Sequence, residues 1–262
     1  MVTDLDGTII RRDGTLSAST IAAAAELERR GIPLVVATAR TPHGVSTVAG
    51  LQSVLEAAVC CNGALGWSPK PRRTLWRHDL APAAVKQIVE VLSSNFTSIG
   101  LAAYTGEQWV MNPSYDALRP STARRGDFAI VSPEELLHEP ICAMAVCSPD
   151  RSPMVLASMI RSRIDGSDIT LTMSDYEVLD IAPARVDKAT GVREALDGLG
   201  ILAAETISFG DMPNDLPMLR DAGLSVAMGN GHPDVIAAAD VLTTSVEHDG
   251  FAESLRNLGI IS

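Results

Sequence analysis

Two carboxylates stand one residue apart at the start of the chain, in Thr3-Asp4-Leu5-Asp6-Gly7-Thr8. In an extended segment the side chains of i and i+2 lie on one side, so Asp4 and Asp6 can aim at one point. Gly7 permits a tight exit without a Cβ clash. Two acids held that close repel each other unless a cation or a proton joins them, which makes the pair a candidate metal site or acid/base pair. Asp-Gly-Thr is also an ordinary turn sequence, so the chemistry depends on what the rest of the chain supplies.

Three further places supply partners. Thr38 follows an apolar run over 32–37, Lys188 opens a helical stretch, and Gly210-Asp211-Met212-Pro213-Asn214-Asp215 follows another apolar run. Hard carboxylate oxygens without His or Cys suit Mg²⁺, which is commonly held by a few protein ligands together with substrate phosphate and water. An ammonium and a hydroxyl match the non-bridging oxygens of a phosphoryl group.

These residues need a scaffold that brings them together. Ser17, an alanine-rich stretch and Gly31 read as N-cap, helix and C′ glycine. The apolar run 32–37 suits a strand covered on both faces. A helix through Val48 and Leu51 and a strand over 57–61, closed by Asn62-Gly63, follow. This is the grammar of a doubly wound α/β domain, whose strand C-termini open on one edge and carry the site. From about 65 to 182 the pattern changes to longer strands (99–104, 109–112, 141–147 and 169–181) broken by helices over 82–92 and 154–164. That predicts an inserted, mostly antiparallel α+β domain holding Trp67, Trp76 and Trp109 as core or sheet-face residues. Beyond Pro183 the α/β pattern returns, with strands over 206–209 and 224–227 and helices near 216–221 and 235–239.

Composition narrows the function. At 262 residues and 46% hydrophobic content the chain buries a full core. A net charge of −11 argues against a nucleic-acid or anionic-membrane surface, because both demand a basic face. No apolar run approaches the roughly 20 residues needed to span a bilayer. Cys60, Cys61, Cys142 and Cys147 lack metal-ligand or disulfide spacing, so a cytoplasmic location with reduced thiols is expected. A nicotinamide dehydrogenase is a poor fit, since no GxGxxG follows the first strand.

In order and spacing, Asp4-Leu5-Asp6-Gly7-Thr8, Val36-Ala37-Thr38-Ala39-Arg40, Lys188 and Gly210-Asp211-Met212-Pro213-Asn214-Asp215 resemble the four motifs of the haloacid dehalogenase (HAD) superfamily. The whole chain resembles its Cof-type phosphatases, which carry a class IIB cap. The resemblance implies a Rossmann-like α/β core over 1–64 and 184–262 with an inserted cap over 65–183. It implies Asp4 as the nucleophile that forms an aspartyl-phosphate, and Asp6 as the acid that protonates the leaving oxygen and then activates water. Mg²⁺ would lie between the Asp4 carboxylate, the Asp6 backbone carbonyl and Asp211, with Asp215 as ligand or anchor. Thr38, Lys188 and Asn214 would hold the phosphoryl oxygens. The implied substrate is a small phosphorylated metabolite, such as a sugar phosphate or cofactor phosphate. A phosphomutase and a non-catalytic binding module of the same fold are the alternatives, and the oligomeric state stays open.

The chain departs from the family pattern in having three residues before Asp4, Ala39 where glycine is frequent, and Asp187 beside Lys188. Asp187 is expected to point away or to pair with Arg185. Arg40 reads as an ion-pair partner, and Thr38 and Asp215 could also serve as helix caps. The basic clusters Lys70, Arg72, Arg73, Arg77 and Arg119, Arg124, Arg125 read as solvated faces, and His43, His78 and His138 as structural.

Overall fold

The computed structural model describes residues 1–95, 98–118, 128–132, 135–165 and 168–262. The chain divides into two compact units, one formed by 1–76 and 187–262 and the other by 77–186. Among the described residues no helix is long and apolar enough to cross a membrane.

The first unit is built on an eight-stranded sheet, in which β1 (Val2–Thr3) lies between β2 (Leu34–Ala37) and β12 (Ile207–Gly210). Outward from β2 come β3 (Leu55–Cys60), β4 (Leu65–Pro69) and β5 (Arg72–Arg77), and outward from β12 come β13 (Leu224–Ala227) and β14 (Val241–Leu242). The pairs among β14, β13, β12, β1, β2 and β3 are parallel, and β4 turns back antiparallel to β3. All four residues of β2 are buried, as a strand covered on both faces requires. Val2, Val35 and Val59 pack with Val192 and Leu196 of α6 (Lys188–Asp197). Register puts Phe209 beside Thr3, hence on the opposite face from Val2. There Phe209 meets Phe251 of α9 (Gly250–Asn257) edge to face at 4.9 Å. Helices thus clamp β1 and β12 from both sides, and the loops leaving those strands carry the acidic residues.

Residues 65–76, expected in the insert, add β4 and β5 to the first sheet, and the compact units divide after Trp76 and before Asp187. Trp67 and Trp76 accordingly lie in the first unit, Trp67 buried and Trp76 donating from Nε1 to Gly63 O at 3.1 Å. The helix expected through Val48 and Leu51 is shorter: α2 spans Pro42–Ser46, capped by Thr41, which accepts from Gly44 N. Cap duty at this helix therefore belongs to Thr41, not Thr38.

The second unit has a six-stranded sheet in the order β10-β11-β9-β6-β7-β8. Its strands are β6 (Gly100–Tyr104), β7 (Trp109–Met111), β8 (Phe128–Ile130), β9 (Ala143–Cys147), β10 (Ile169–Thr172) and β11 (Val178–Pro183), antiparallel except for β7 with β8. One face buries Leu101, Val146 and Ile181 under Ile88 and Leu92 of α3 (Pro82–Asn95) and Ile160 of α5 (Pro153–Arg161). The single strand expected over 169–181 is instead the β10–β11 hairpin. Its turn is set by Asp175 Oδ1 accepting from Glu177 N and Asp180 Oδ2 accepting from Ser174 N, both at 3.0 Å. Trp109 rests on Tyr104 with ring centroids 5.4 Å apart. Arg77 pairs with Asp79 at 2.7 Å and Lys70 donates to Ser53 O, whereas Arg119, Arg124 and Arg125 lie outside the described residues. All four cysteines are buried and none forms a disulfide.

Candidate active site

Strand β1 ends at Thr3, before either acid, so Asp4 and Asp6 do not share one face of a strand. Asp4 N donates to Phe209 O at 3.0 Å, prolonging the β1–β12 pairing by one residue. The chain then turns sharply, with the amides of Ile9 and Ile10 both donating to Leu5 O. Asp4 goes inward and Asp6 outward, the Asp6 side chain remaining 55% exposed.

Gly7 makes that turn possible. Its φ of +81° suits glycine, and a Cβ there would overlap Asp211 Oδ2. The loop after β1 therefore lies directly against the loop after β12.

At the inner end, Lys188 Nζ donates to Asp4 Oδ1 and to Asp215 Oδ1, each at 2.6 Å, with the lysine 1% exposed. Asp187, whose charge beside Lys188 looked out of place, is the N-cap of α6, accepting from Thr190 N at 2.8 Å and Thr190 Oγ1 at 3.0 Å. The cap fixes the start of the helix and so the origin of the Lys188 side chain. Asp215 does more than begin a helix, because its Oδ2 accepts from Asp211 N at 2.9 Å and Met212 N at 3.0 Å. Thr8 Oγ1 donates to Asp211 Oδ1 at 3.0 Å.

One oxygen from each of Asp4, Asp211 and Asp215 lies within 4.8 Å of the others. Three carboxylates around one ammonium leave a formal charge of −2, which a divalent cation would neutralise, and hard oxygen donors are what Mg²⁺ prefers. Burial, followed by the charges of Asp4 and Asp215, pushes the Asp211 carboxyl up to about 9. Asp4 is pushed up to about 7, first by burial and then by Asp215 and Asp6, against the opposing pull of Lys188. Burial works against the Lys188 ammonium, but Asp215 and Asp4 override it and its pKa rises. The ammonium stays charged and the excess negative charge falls on Asp4 and Asp211, so the donor set fits the cation.

A pH dependence follows. In the absence of metal, Asp4 and Asp211 bind protons in the folded state that the unfolded chain has released, since both folded pKa values exceed the unfolded value of 3.8. Stability is then lost as pH rises through about 7 and about 9. The melting temperature in EDTA is expected to climb from about pH 9 to about pH 6, and added Mg²⁺ to raise it more at the higher pH. Equal Mg²⁺ effects at both pH values would show that these carboxylates do not carry the charge excess.

Asp6 takes a different partner. Arg40 Nε donates to Asp6 Oδ2 at 2.7 Å and Arg40 Nη2 to Asp6 Oδ1 at 2.6 Å, a two-pronged pair that fixes the carboxylate plane. The ion-pair reading of Arg40 identifies its partner as Asp6. Thr38 is buried, its hydroxyl accepting from Arg40 N at 3.1 Å. Asn214 is buried, its Nδ2 donating to Asn62 Oδ1 at 2.9 Å while its Oδ1 lies without a partner. Asp4, Lys188, Asp211 and Asp215 thus form one contact network, whereas Asp6 and Thr38, joined only through Arg40, and Asn214 with Asn62 form two others. Thr8, Asn62 and Asn230 were missed as contributors. Asn62 carried a signal in its Asn-Gly pair after a strand, and it adopts a left-handed φ of 52°.

A family model described as haloacid dehalogenase-like hydrolase matches residues 1–255. The chain is 26% identical over 255 residues to 5-amino-6-(5-phospho-D-ribitylamino)uracil phosphatase YitU of Bacillus subtilis, covering 97% of this chain and 94% of that protein. It is 25% identical over 235 residues to the HMP-PP phosphatase of Citrobacter koseri, covering 89% and 85%. The fold superposes on a solved HAD subclass IIB sugar phosphatase with a TM-score of 0.87 at 22% identity, over 99% of this chain and 98% of that one.

Proposed function

The chain belongs to the haloacid dehalogenase-like hydrolases, and from that premise we propose that it is a Mg²⁺-dependent phosphomonoesterase that hydrolyses a small phosphorylated metabolite through an aspartyl-phosphate. The observation that carries this reading is the Asp4 carboxylate held at 2.6 Å by buried Lys188 beside Asp211 and Asp215. A carboxylate so oriented is a nucleophile aimed by its neighbours, and its anionic surroundings are those a cation would balance.

Asp4 attacks phosphorus, a P–O bond forms to its carboxylate, and the bond from phosphorus to the leaving oxygen breaks. Asp6 supplies the proton that the departing alkoxide takes. Water then attacks the phosphoryl group of the acyl phosphate, with Asp6 accepting its proton, and inorganic phosphate leaves as the Asp4 carboxylate is restored. Mg²⁺, held by Asp4, Asp211, the Asp6 carbonyl and Asp215 as ligand or anchor, would offset the phosphoryl charge. Lys188 and the Thr38 hydroxyl steady the same oxygens, and Asn214 completes the pocket. Arg40 grips both Asp6 oxygens, so proton transfer from Asp6 requires one of those contacts to open.

The substrate class is supported by the relatives' names, which specify phosphorylated small molecules. The second unit, inserted between two segments of the first, is read as the cap that selects the leaving group. Four buried cysteines without a disulfide suit a cytoplasmic setting. Phosphate release from p-nitrophenyl phosphate and a panel of phosphorylated metabolites, with Mg²⁺ and with EDTA, tests the proposal. Mg²⁺-dependent release is expected, and release that persists undiminished in EDTA would overturn the metal requirement.

A further inference from the structure

We propose that Asn230 is a positioning residue for the cation site, tying the loop after β1 to Asp211 and so setting how tightly the site holds a divalent cation. The proposal rests on reading Asp4, Asp211 and Asp215 as cation ligands. Asn230 Nδ2 donates to Gly7 O at 2.8 Å and lies 3.5 Å from Asp211 Oδ2, while Asn230 Oδ1 accepts from Val246 N at 2.8 Å. These partners fix the amide's orientation, because a backbone N–H can only donate and a carbonyl can only accept. One exposed side chain therefore joins the loops after β1, β12 and β14.

The surrounding loop is built to hold it there. His232 N donates to Asp211 O at 2.7 Å and Gly231 N to Met228 O at 2.8 Å. A Cβ on Gly231 would come within 2.9 Å of Met228 O and 3.2 Å of Asp211 O, so glycine is what lets this loop lie against the Asp211 backbone. Asp211 is consequently gripped at its amide by Asp215, at its carbonyl by His232, at Oδ1 by Thr8 and at Oδ2 by Asn230. The Gly7 carbonyl and Asp211 Oδ2 are neighbouring oxygens that share one donor, and that donor is Asn230. Removing it frees both the Gly7 peptide and the Asp211 carboxylate to splay, and a cation would have to gather them at the moment of binding. Loss of such outer partners typically costs about 10–100-fold in metal affinity.

Mn²⁺ titration followed by electron paramagnetic resonance on the full chain is the test. Asn230→Ala is expected to weaken Mn²⁺ binding about 10–100-fold, with an unchanged melting temperature in EDTA and activity recovered at high Mg²⁺. Asn230→Ser, which keeps a polar group but loses its reach to Gly7, gives a second measurement with the same expected result. Wild-type Mn²⁺ affinity in both variants would overturn the proposal, as would a fall in metal-free melting temperature with affinity unchanged. Wild-type protein that binds Mn²⁺ no better than Asp211→Ala would instead sink the underlying reading of the cation site.

Discussion

Asp4→Asn is expected to lose phosphatase activity by at least about 10⁴-fold, the scale on which deletion of a nucleophile acts, while the metal-free protein becomes more stable at pH 8. The two effects have one origin. Asparagine matches aspartate in shape but cannot form the acyl phosphate, so turnover stops. It also removes one of three buried carboxyl groups gathered around a single ammonium. Burial pushes the Asp4 carboxyl up to about 7, so at pH 8 the folded state carries an anion that the unfolded chain carries more easily. Melting in EDTA at pH 8 and pH 6, alongside hydrolysis of p-nitrophenyl phosphate, checks both halves. Full activity in the variant would remove Asp4 from the nucleophile's role, and a stability gain no larger at pH 8 than at pH 6 would contradict the electrostatics.

Lys188→Met is expected to act in the opposite sense on stability. The ammonium is 1% exposed and bonded to two carboxylates, and breaking a buried pair by removing one partner costs about 3–5 kcal/mol. The loss should be largest at pH 8 and smaller at pH 6, where Asp4 takes up a proton. Activity should collapse as well, since the proposed mechanism sets the same ammonium on both Asp4 and the phosphoryl oxygens. Denaturant unfolding in EDTA measures the stability term. In the double variant Asp4→Asn/Lys188→Met the metal-free protein at pH 8 should be more stable than the sum of the two single effects, because the Asp4 charge that Lys188→Met strips of its ammonium is absent. Strict additivity would mean that the two residues act separately.

The α/β core was legible because its signals are local. Short, largely apolar runs mark parallel strands, and 34–37, 207–210 and 224–227 fall where that pattern puts them, the first two running into Thr38 and Asp211. Residues 65–76 were harder, because strands that join an existing sheet antiparallel look the same in sequence as strands that open a new one. The β10–β11 turn was hidden in a β-rich stretch because it is made by Asp175 and Asp180 side chains without glycine or proline. Within the site, Asp4, Lys188, Asp211 and Asp215 could be nominated by type and place, and they come together in one network. What the spacing of the residues could not give was which partner each acid meets. Asp4 and Asp6 are two residues apart, yet one meets Lys188 and the other Arg40, because the strand ends at Thr3 and the turn sends the side chains to different places. Asn230 gave little signal, since its role depends on three contacts with residues at least 16 positions away.

The place of β1 between β2 and β12 has a consequence for biosynthesis. The strand that leads into Asp4 is synthesised long before one of its two neighbours, Ile207–Gly210. Asp4 waits first for its ammonium, Lys188, and then for the carbonyl of Phe209, and until the latter arrives one edge of β1 stays open. The second unit, residues 77–186, is synthesised within that interval and has its own sheet and core to complete. The nascent chain must therefore hold β1 in reserve for some 200 residues, a delay read from the 203-residue separation of the Thr8–Asp211 bond, and the anionic site closes only after the second unit has been made.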